Sequence, residues 1–255
     1  MTASELYAYL NTRYPIGLRA AWDHDGACCL PEPERVVKKV LLTLDVTDKA
    51  VKEAIATGCD GIIAHHPLLF KPLSEVTESE GHGRKLLSLI RGGLFCFCFH
   101  TRLDAVKGGV NDCLAEALEL FDITPLELDG IPMGRIGYLP IAVSERELAL
   151  YCKKKLSCAE VTYAPVGKNV RKIALLGGAG GDALRAAKDA GADALVTGDI
   201  HYNPMLDAAE DGLAVYRCGH FETENPVLDE LVRALAEVDA SIETVRFSSL
   251  PTETV

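Results

Sequence analysis

Two long stretches of the chain follow the same pattern at a constant offset. In the first copy an apolar run begins near Val37, Ala54 and Gly58 mark a helix and its end, and Asp60 opens a second apolar run. The second copy repeats these positions as Val170, Ala187, Gly191 and Asp193. Each copy is typical of a β-α-β unit with parallel strands. We therefore predict an α/β fold of two similar lobes that arose by internal duplication, with mixed sheets flanked by helices.

The stretch between the copies has a pattern of its own and sets the predicted lobe boundary. Over residues 134–168, Ser144 and Glu147 form a capping-box sequence at the start of a helix. We assign residues 1–125 to the first lobe and residues 126–255 to the second, which together make one compact domain.

The remaining elements follow from apolar periodicity and from capping and breaking residues. Helices are predicted over 3–13, 48–57, 83–91, 109–120, 145–156, 182–190, 203–211 and 226–238. Strands are predicted over 36–45, 61–64, 94–99, 135–139, 159–163, 170–176, 193–197, 213–218 and 242–248.

Composition narrows the function classes. A net charge of -11 argues against a nucleic-acid-binding surface, since affinity for phosphate backbones comes mainly from Lys and Arg. The nine cysteines are odd in number and no basic targeting segment opens the chain, which favours reduced thiols in the cytoplasm. No apolar run is long enough to cross a bilayer, so no membrane association is expected. Cys28 and Cys29 are the pair with potential redox or metal chemistry.

Imidazole and carboxylate groups recur where predicted strands end. His100 and Asp104 follow one apolar run, and His220 and Glu224 follow another at the same spacing. Ligands gather beyond the carboxyl ends of parallel strands, and these side chains are typical ligands of divalent metals. The sequence therefore predicts a metal site between the two lobes.

A third strand end carries two adjacent imidazoles, His65 and His66. At a strand-to-loop junction such neighbours can address two different ions, which favours a dinuclear centre. Two ions about 3.5–4 Å apart need a shared ligand, and Asp104 or Glu224 can supply it; we favour Glu224. Mixed imidazole and carboxylate ligation accepts Zn, Mn, Fe, Co or Ni.

Several histidines have other interpretations. A single buried histidine is often a hydrogen-bonded core residue, as His65 or His220 could be when considered alone. His100 could be an orienting group or a proton carrier rather than a ligand. The three others, His24, His82 and His201, are interpreted as surface or pocket-rim residues.

A glycine-rich run, Gly177–Gly181, lies between a predicted strand and a helix. It has neither the dinucleotide-binding pattern nor the Lys-Ser/Thr ending of an NTPase loop. We interpret it as a tight turn capped by Asp182, with a substrate phosphate near its amides as the alternative.

Taken together, these motifs resemble the NGG1-interacting-factor-three-like family, whose members also carry the name GTP cyclohydrolase 1 type 2 homologue. The resemblance covers nearly the whole chain, at the length of the short bacterial form. It rests on Trp22-Asp23, Ile63–Leu68, His100–Asp104, Gly108–Asp112, Gly134–Gly137, Gly177–Gly180, Thr197–Ile200 and Gly219–Glu224.

The resemblance implies a homohexameric toroid with a dinuclear metal site in each subunit. Carried over to this chain, His66 and Asp104 would hold one ion, His65 and His220 the other, and Glu224 would touch both.

Three hypotheses about function follow. The first is a metal-dependent hydrolase, similar to GTP cyclohydrolase 1 type 2, acting on a small nucleotide-like or ring-containing substrate, with His100 as a proton shuttle. The second is a non-catalytic metal-binding or regulatory ring protein. The third is a thiol redox protein that uses Cys28 or Cys29.

Overall fold

The computed structural model describes residues 1–248. Contacts divide the chain into two compact units, each with a sheet of its own. The first contains Met1–Leu103 and the segment that begins at Leu228, and the second contains Asp104–Val227. The last helix and strand of the described chain thus belong with the N-terminal segment.

The elements alternate between strand and helix along most of the chain. The strands are β1 (Gly26–Cys29), β2 (Lys39–Thr43), β3 (Gly61–Ala64), β4 (Phe95–Cys98), β5 (Phe121–Leu128), β6 (Ile131–Ser144), β7 (Thr162–Ala164), β8 (Asn169–Ala179), β9 (Ala194–Asp199), β10 (Ala214–Arg217) and β11 (Glu243–Arg246). The helices are α1 (Ala3–Arg13), α2 (Asp48–Ala56), α3 (Gly81–Arg91), α4 (Thr101–Ala105), α5 (Val110–Ala117), α6 (Glu145–Lys155), α7 (Ala183–Asp189), α8 (Tyr202–Glu210), α9 (His220–Glu224) and α10 (Val227–Val238).

The first unit is built on a five-stranded sheet in the order β1-β4-β3-β2-β11. Strands β4, β3, β2 and β11 run parallel, and β1 pairs antiparallel with β4. All residues of β3 and β4 are buried, as is typical of parallel strands covered on both faces. Close packing requires Gly61, where an added Cβ would lie 2.3 Å from the ring of Phe95.

The second unit is built on a six-stranded sheet in the order β5-β6-β8-β9-β10-β7. Here β8, β9 and β10 run parallel. The β5–β6, β6–β8 and β10–β7 pairs are antiparallel. Both sheets are therefore mixed, and the predicted α/β class is confirmed.

The repeated sequence pattern produces the same local hydrogen bonding in each unit. The backbone N–H groups of Lys38 and Lys39 both donate to Asp60 Oδ2, at 2.7 and 3.0 Å. In the second unit Asp193 Oδ2 accepts from residues 171–172 at 2.9 and 2.8 Å. An aspartate thus ties the start of one parallel strand to the start of its neighbour in both copies. Internal duplication as the origin of this similarity stays a prediction.

Helix starts follow the predicted capping chemistry in most places. Ser144 and Glu147 form a reciprocal capping box at α6, and the Thr47 hydroxyl accepts from Ala50 N at α2. The prediction for Asp182 was wrong, because this residue makes no side-chain cap bond. Its backbone is already helical, with φ -73° and ψ -16°, instead of the extended conformation of an N-cap.

The largest error in element prediction concerns β5 and β6. The sequence predicted only a short strand at 135–139, whereas the structure has a long hairpin joined by Asp129 and Gly130. Both turn residues have positive φ, 51° and 78°. A two-residue turn of this type matches the twist of the paired strands and favours hairpin formation.

Two five-residue helices, α4 and α9, begin just after β4 and β10 and were not predicted. Helix α9 contains the whole His220–Glu224 segment, so its acid lies one helical turn beyond its histidine. Helix α4 begins one residue after His100 and contains Asp104. Among residues 1–248, no helix has the combined length and apolar character that crossing a lipid bilayer demands.

Candidate functional site

Two adjacent imidazoles stand at the end of β3 in the first unit. The backbone of the pair continues the strand pairing, with His65 N donating to Thr43 O at 3.2 Å and His66 N to Leu44 O at 2.9 Å. His65 is fully buried and His66 is half-buried. The end of a buried parallel strand thus fixes both rings at the sheet edge, where the sequence predicted metal ligands.

Each of these rings is oriented through its Nδ1 atom. His65 Nδ1 lies 3.0 Å from the carbonyl oxygen of Phe99, and His66 Nδ1 lies 2.9 Å from Asp45 Oδ1. Carbonyl and carboxylate oxygens only accept, so Nδ1 carries the proton in both rings. In the neutral ring the lone pair is then at Nε2, the arrangement found when histidine binds a metal.

A third imidazole, His100, joins this pair. One ring nitrogen from each of His65, His66 and His100 lies within 4.8 Å of the others. The ring centroid of His100 is 5.4 Å from that of His65 and 5.7 Å from that of His66. The first unit therefore contains a three-histidine cluster that is able to hold a metal ion.

His100 is held by a buried aspartate that the sequence analysis did not assign. Asp23 Oδ1 lies 3.0 Å from His100 Nδ1, and Asp23 Oδ2 accepts from the Thr101 hydroxyl at 2.7 Å and from its backbone N–H at 3.1 Å. Burial alone would raise the pKa of Asp23, but the hydrogen bonds from His100 and Thr101 outweigh it and hold that pKa well below its usual range. Asp23 is therefore a permanent acceptor for the His100 ring.

The loop that carries Asp23 is tied down by a second aspartate. Asp25 Oδ2 accepts from His100 N at 2.9 Å and from Arg102 Nε at 2.8 Å. Arg102 is itself buried and also donates to Tyr14 O at 2.9 Å. The Asp25–Arg102 ion pair therefore holds the loop against the segment that follows β4.

Two exposed aromatic rings flank the histidine cluster. The ring centroid of Trp22 lies 5.9 Å from that of His100, and the centroid of Phe70 lies 6.3 Å from it. The two aromatic rings are 6.0 Å apart. Their side chains are 58% and 46% exposed, so together they form an exposed aromatic pair beside the histidine cluster.

The second unit brings a histidine and three carboxylates together. His220 Nε2 lies 3.2 Å from Glu224 Oε1, one turn further along α9, and His220 Nδ1 lies 2.9 Å from Asp199 Oδ2. A carboxylate oxygen of Asp104 lies within 4.8 Å of one of Glu224. Asp104 and Glu224 are both buried. Two buried carboxylates at this separation repel each other unless protons or cations compensate their charge.

Two glycines leave space for the side chain of Glu224 and for His220. A Cβ at Gly178, where φ is +64°, would lie 2.3 Å from Glu224 Oε1 and 3.2 Å from His220 Nε2. At Gly198 a Cβ would lie 2.8 Å from the Cα of His220. The glycine-rich run that the sequence assigned to a tight turn therefore also opens the space that the donor groups occupy.

A buried asparagine links these segments of the second unit. Asn111 Oδ1 accepts from Gly177 N at 2.8 Å, and its Nδ2 donates to Met133 O at 2.6 Å and to Asp104 O at 3.3 Å. Asn111 belongs to a motif that the sequence analysis recognised without giving it a role. It positions the backbone at Asp104 and at the glycine turn together.

Within the first unit, His65, His66 and His100 lie close together. Within the second unit, Glu224 lies close to both Asp104 and His220. The histidines without a predicted partner pattern, His24, His82 and His201, are all exposed, as expected.

The comparisons with known proteins identify the family. The family model described as Duf34/NIF3 (NGG1p interacting factor 3) matches residues 1–253. The chain belongs to this family. The resemblance inferred from the sequence motifs is therefore confirmed.

Relatives and solved structures agree with this assignment. The chain is 34% identical over 252 residues to a GTP cyclohydrolase 1 type 2 homolog of Clostridium perfringens, covering 96% of this chain and 95% of the relative. It is 28% identical to NIF3-like protein 1 of Drosophila melanogaster, covering 88% and 78%.

Among solved structures, a Bacillus cereus protein related to NIF3 has a TM-score of 0.90 at 23% identity, covering 100% of this chain and 99% of that one. Reduced HcgD from Methanocaldococcus jannaschii has a TM-score of 0.83 at 27% identity and covers 98% of each chain. The Bacillus cereus likeness concerns the fold alone.

Proposed function

We propose that this protein is a metal-dependent hydrolase with a dinuclear centre. Its ligands are drawn from both units: His65, His66, Asp104, His220 and Glu224. These residues would together hold the two ions, and Glu224 would be the ligand that the ions share, as the family resemblance implies. The observation that carries the proposal is the geometry within each unit: two adjacent histidines with an acceptor at Nδ1, and two buried carboxylates that lie close together.

In the first unit the support comes from the tautomers. An acceptor at Nδ1 of His65 and of His66 leaves the lone pair at Nε2. Such outer partners fix the ring and raise its basicity, and their loss typically weakens metal binding about 10- to 100-fold. A core histidine could have one such bond, but two adjacent rings prepared in the same way favour ligation.

In the second unit the support comes from charge. Asp104 and Glu224 are buried within 4.8 Å of each other at the closest oxygens, with His220 beside Glu224. Burying paired carboxylates without a cation is costly. Gly178 keeps the adjoining space clear, so the donor set and its surroundings fit a divalent ion.

His100 is proposed as the proton carrier. Its Nδ1 is held by Asp23, so Nε2 is the atom that takes up and releases a proton. Bound divalent ions would supply Lewis acidity and lower the pKa of water. Asp23 keeps the ring in one tautomer and orientation while the proton moves.

Trp22 and Phe70 favour a flat substrate. Aromatic rings stack on heterocycles with an offset or tilted geometry, and these two exposed rings stand next to His100. We therefore assign them to holding a nucleotide-like or other ring-containing small molecule. GTP is the first compound to assay because relatives carry the name GTP cyclohydrolase 1 type 2 homolog.

The proposal includes the state of the protein in the cell. We infer a homohexameric toroid, as the family resemblance implies, and a cytoplasmic location, as the reduced thiols indicate. Light scattering coupled to size-exclusion chromatography would test the hexamer, and cell fractionation would test the location.

The hydrolase proposal is tested by turnover. Protein purified without chelator is loaded separately with Zn, Mn, Fe, Co or Ni and assayed against GTP, other ring-containing compounds, phosphoesters and amides. Metal-dependent turnover that His220→Ala abolishes and His201→Ala retains is expected, because His201 is exposed and lies outside the donor group.

Full metal occupancy without turnover across the panel would contradict the hydrolase assignment. It would leave the rival hypothesis, a non-catalytic metal-binding or regulatory ring protein. A stable partner retained by His220→Ala would then favour that alternative.

A further inference from the structure

Three cysteines of the first unit converge where β1 meets β4. Cys96 and Cys98 alternate with phenylalanines along β4 and therefore face the same side of the sheet, with their Sγ atoms 4.0 Å apart. Cys28 Sγ lies 3.4 Å from Cys98 Sγ. All three sulfur atoms lie within 4.8 Å of one another.

A β-bulge in β1 lies at the third thiol. Ala27 pairs with Phe97 and Cys29 pairs with Cys96, so Cys28 is the extra residue of β1. A bulge places two residues of one strand opposite a single residue of its partner strand and changes the direction of a side chain.

The sulfur separations match those of a shared metal ion. Three sulfurs that each lie about 2.3 Å from one ion are about 3.8–4.0 Å apart in tetrahedral or trigonal geometry. The observed 3.4 and 4.0 Å bracket that range. Small side-chain rotations are therefore sufficient to bring all three thiolates to one cation.

The surroundings favour thiolate at one of the three sulfurs. Hydrogen bonds from Cys96 and Cys98, joined by those from the backbone of Leu68 and Leu69, lower the pKa of Cys28. The contact with Cys28, reinforced by burial, raises the pKa of Cys96 and of Cys98. The three sulfurs lie in or against an apolar core cluster of the first unit.

We propose that Cys28, Cys96 and Cys98 form a second metal site, for a soft monovalent d10 cation, with Cu(I) as its preferred ion. All three donors are sulfur, in contrast to the nitrogen and oxygen donors of the histidine and carboxylate groups. Soft thiolate ligands select soft cations. Cu(I) accepts three-coordinate geometry, whereas structural zinc sites have four ligands. Cys28, the half-buried member, is the point of entry.

The second unit contains three cysteines that serve as a control for the proposed site. Cys152, Cys158 and Cys218 are buried in one core cluster. Cys158 Sγ donates to Cys152 O at 3.9 Å, so its thiol is engaged by a carbonyl oxygen. These three do not form a three-donor group of the kind seen at Cys28, within the part of the chain that the structure describes. Cys158→Ser therefore removes a buried thiol without touching the proposed site.

The test is an anaerobic Cu(I) titration of the full-length protein, kept reduced, against a Cu(I)-selective chelator. It is run in the His220→Ala background so that the histidine and carboxylate donors contribute less. Cu(I) uptake with a thiolate-to-copper absorption band and a sulfur-only shell by X-ray absorption is expected. Cys28→Ser should weaken the apparent affinity by more than about tenfold, and Cys158→Ser should leave it unchanged.

A second measurement avoids the risk that a variant misfolds. Alkylation of Cys28, read by peptide mass spectrometry, should slow when Cu(I) is added to the unmutated protein. A nitrogen- or oxygen-only copper shell, equal affinity in Cys28→Ser, or unchanged alkylation would each overturn the proposal. The hydrolase proposal does not depend on these results, since it rests on other residues and on turnover.

Discussion

The two His-x-x-x-acid segments have the same spacing and similar local structure, but they prepare their histidines differently. His100 precedes α4, and its Nδ1 is held by the buried Asp23. His220 opens α9, its Nδ1 is held by the exposed Asp199, and its Nε2 is 3.2 Å from Glu224.

This difference separates two roles. A histidine whose partner is a buried, ionised aspartate is fixed in tautomer and orientation, which suits proton transfer. A histidine whose Nε2 already faces a buried carboxylate belongs to a donor group that suits a cation. We therefore propose that the same spacing in the sequence supplies a proton carrier at His100 and a metal ligand at His220.

The largest expected effect comes from removing the carboxylate that is proposed to contact both ions. Glu224→Gln should lower turnover more than about 100-fold and reduce the metal content, since losing even an outer partner of a ligand costs about 10- to 100-fold. Elemental analysis and steady-state kinetics check it. Glu222→Gln, on the same helix, is the matched control, and an equal loss in both variants would contradict the assignment.

The variant Asp23→Asn tests the difference between His100 and His220. The variant removes the charged acceptor of His100 Nδ1, so turnover should fall about 10- to 100-fold while metal content stays unchanged. Loss of metal together with activity would mean that His100 is a ligand and not a proton carrier.

Asp23 also predicts a pH-dependent difference in stability. Its folded pKa lies below the unfolded value, so its stabilisation is complete above the unfolded pKa of about 3.9 and is lost as the pH falls through the folded pKa. Unfolding of wild type and Asp23→Asn by denaturant should therefore differ most at neutral pH and converge in acid.

The glycine turn of the second unit is tested by Gly178→Ala. The new Cβ would meet Glu224 Oε1 at 2.3 Å and force positive φ on alanine, which should cost about 1–3 kcal/mol of unfolding free energy. Metal content should fall as well. Gly181→Ala, where nothing lies within 4 Å of the added Cβ, should change the unfolding free energy by less than about 0.5 kcal/mol; equal effects would remove the role given to Gly178.

The smallest expected effect concerns the exposed aromatic pair. Trp22→Ala should raise KM for a ring-containing substrate about 2- to 10-fold with little change in kcat, since one aromatic stacking contact is worth about 0.5–1.5 kcal/mol. Ile16→Ala, which removes another exposed apolar side chain of the same unit, is the control. A change in kcat without a change in KM would place Trp22 in catalysis instead.

The parallel strands and their helices were predictable because their apolar runs are buried in continuous blocks. The helix starts at Thr47 and Ser144 were predictable because capping is local chemistry. The β5–β6 hairpin was missed although its Asp129-Gly130 turn is a strong signal; most of its residues are polar or exposed, so periodicity alone did not reveal it. The pairing of β11 with β2 joins distant segments, and no local pattern in the sequence indicates it.

The donor residues of the candidate site could be predicted from the sequence, but the residues that hold the histidine rings could not. His65, His66, Asp104, His220 and Glu224 follow strand ends, which a sequence shows directly. Which acceptor holds each ring depends on tertiary contacts: Asp23, Asp45 and Asp199 are remote from their histidines in the chain.

Anomalous diffraction at the absorption edge of the bound element tests the central claim most directly, on crystals of protein purified without chelator. We expect two peaks per chain, about 3.5–4 Å apart, next to His65, His66, Asp104, His220 and Glu224. One peak would contradict the dinuclear centre, and the absence of any peak at these residues would contradict the metal site itself.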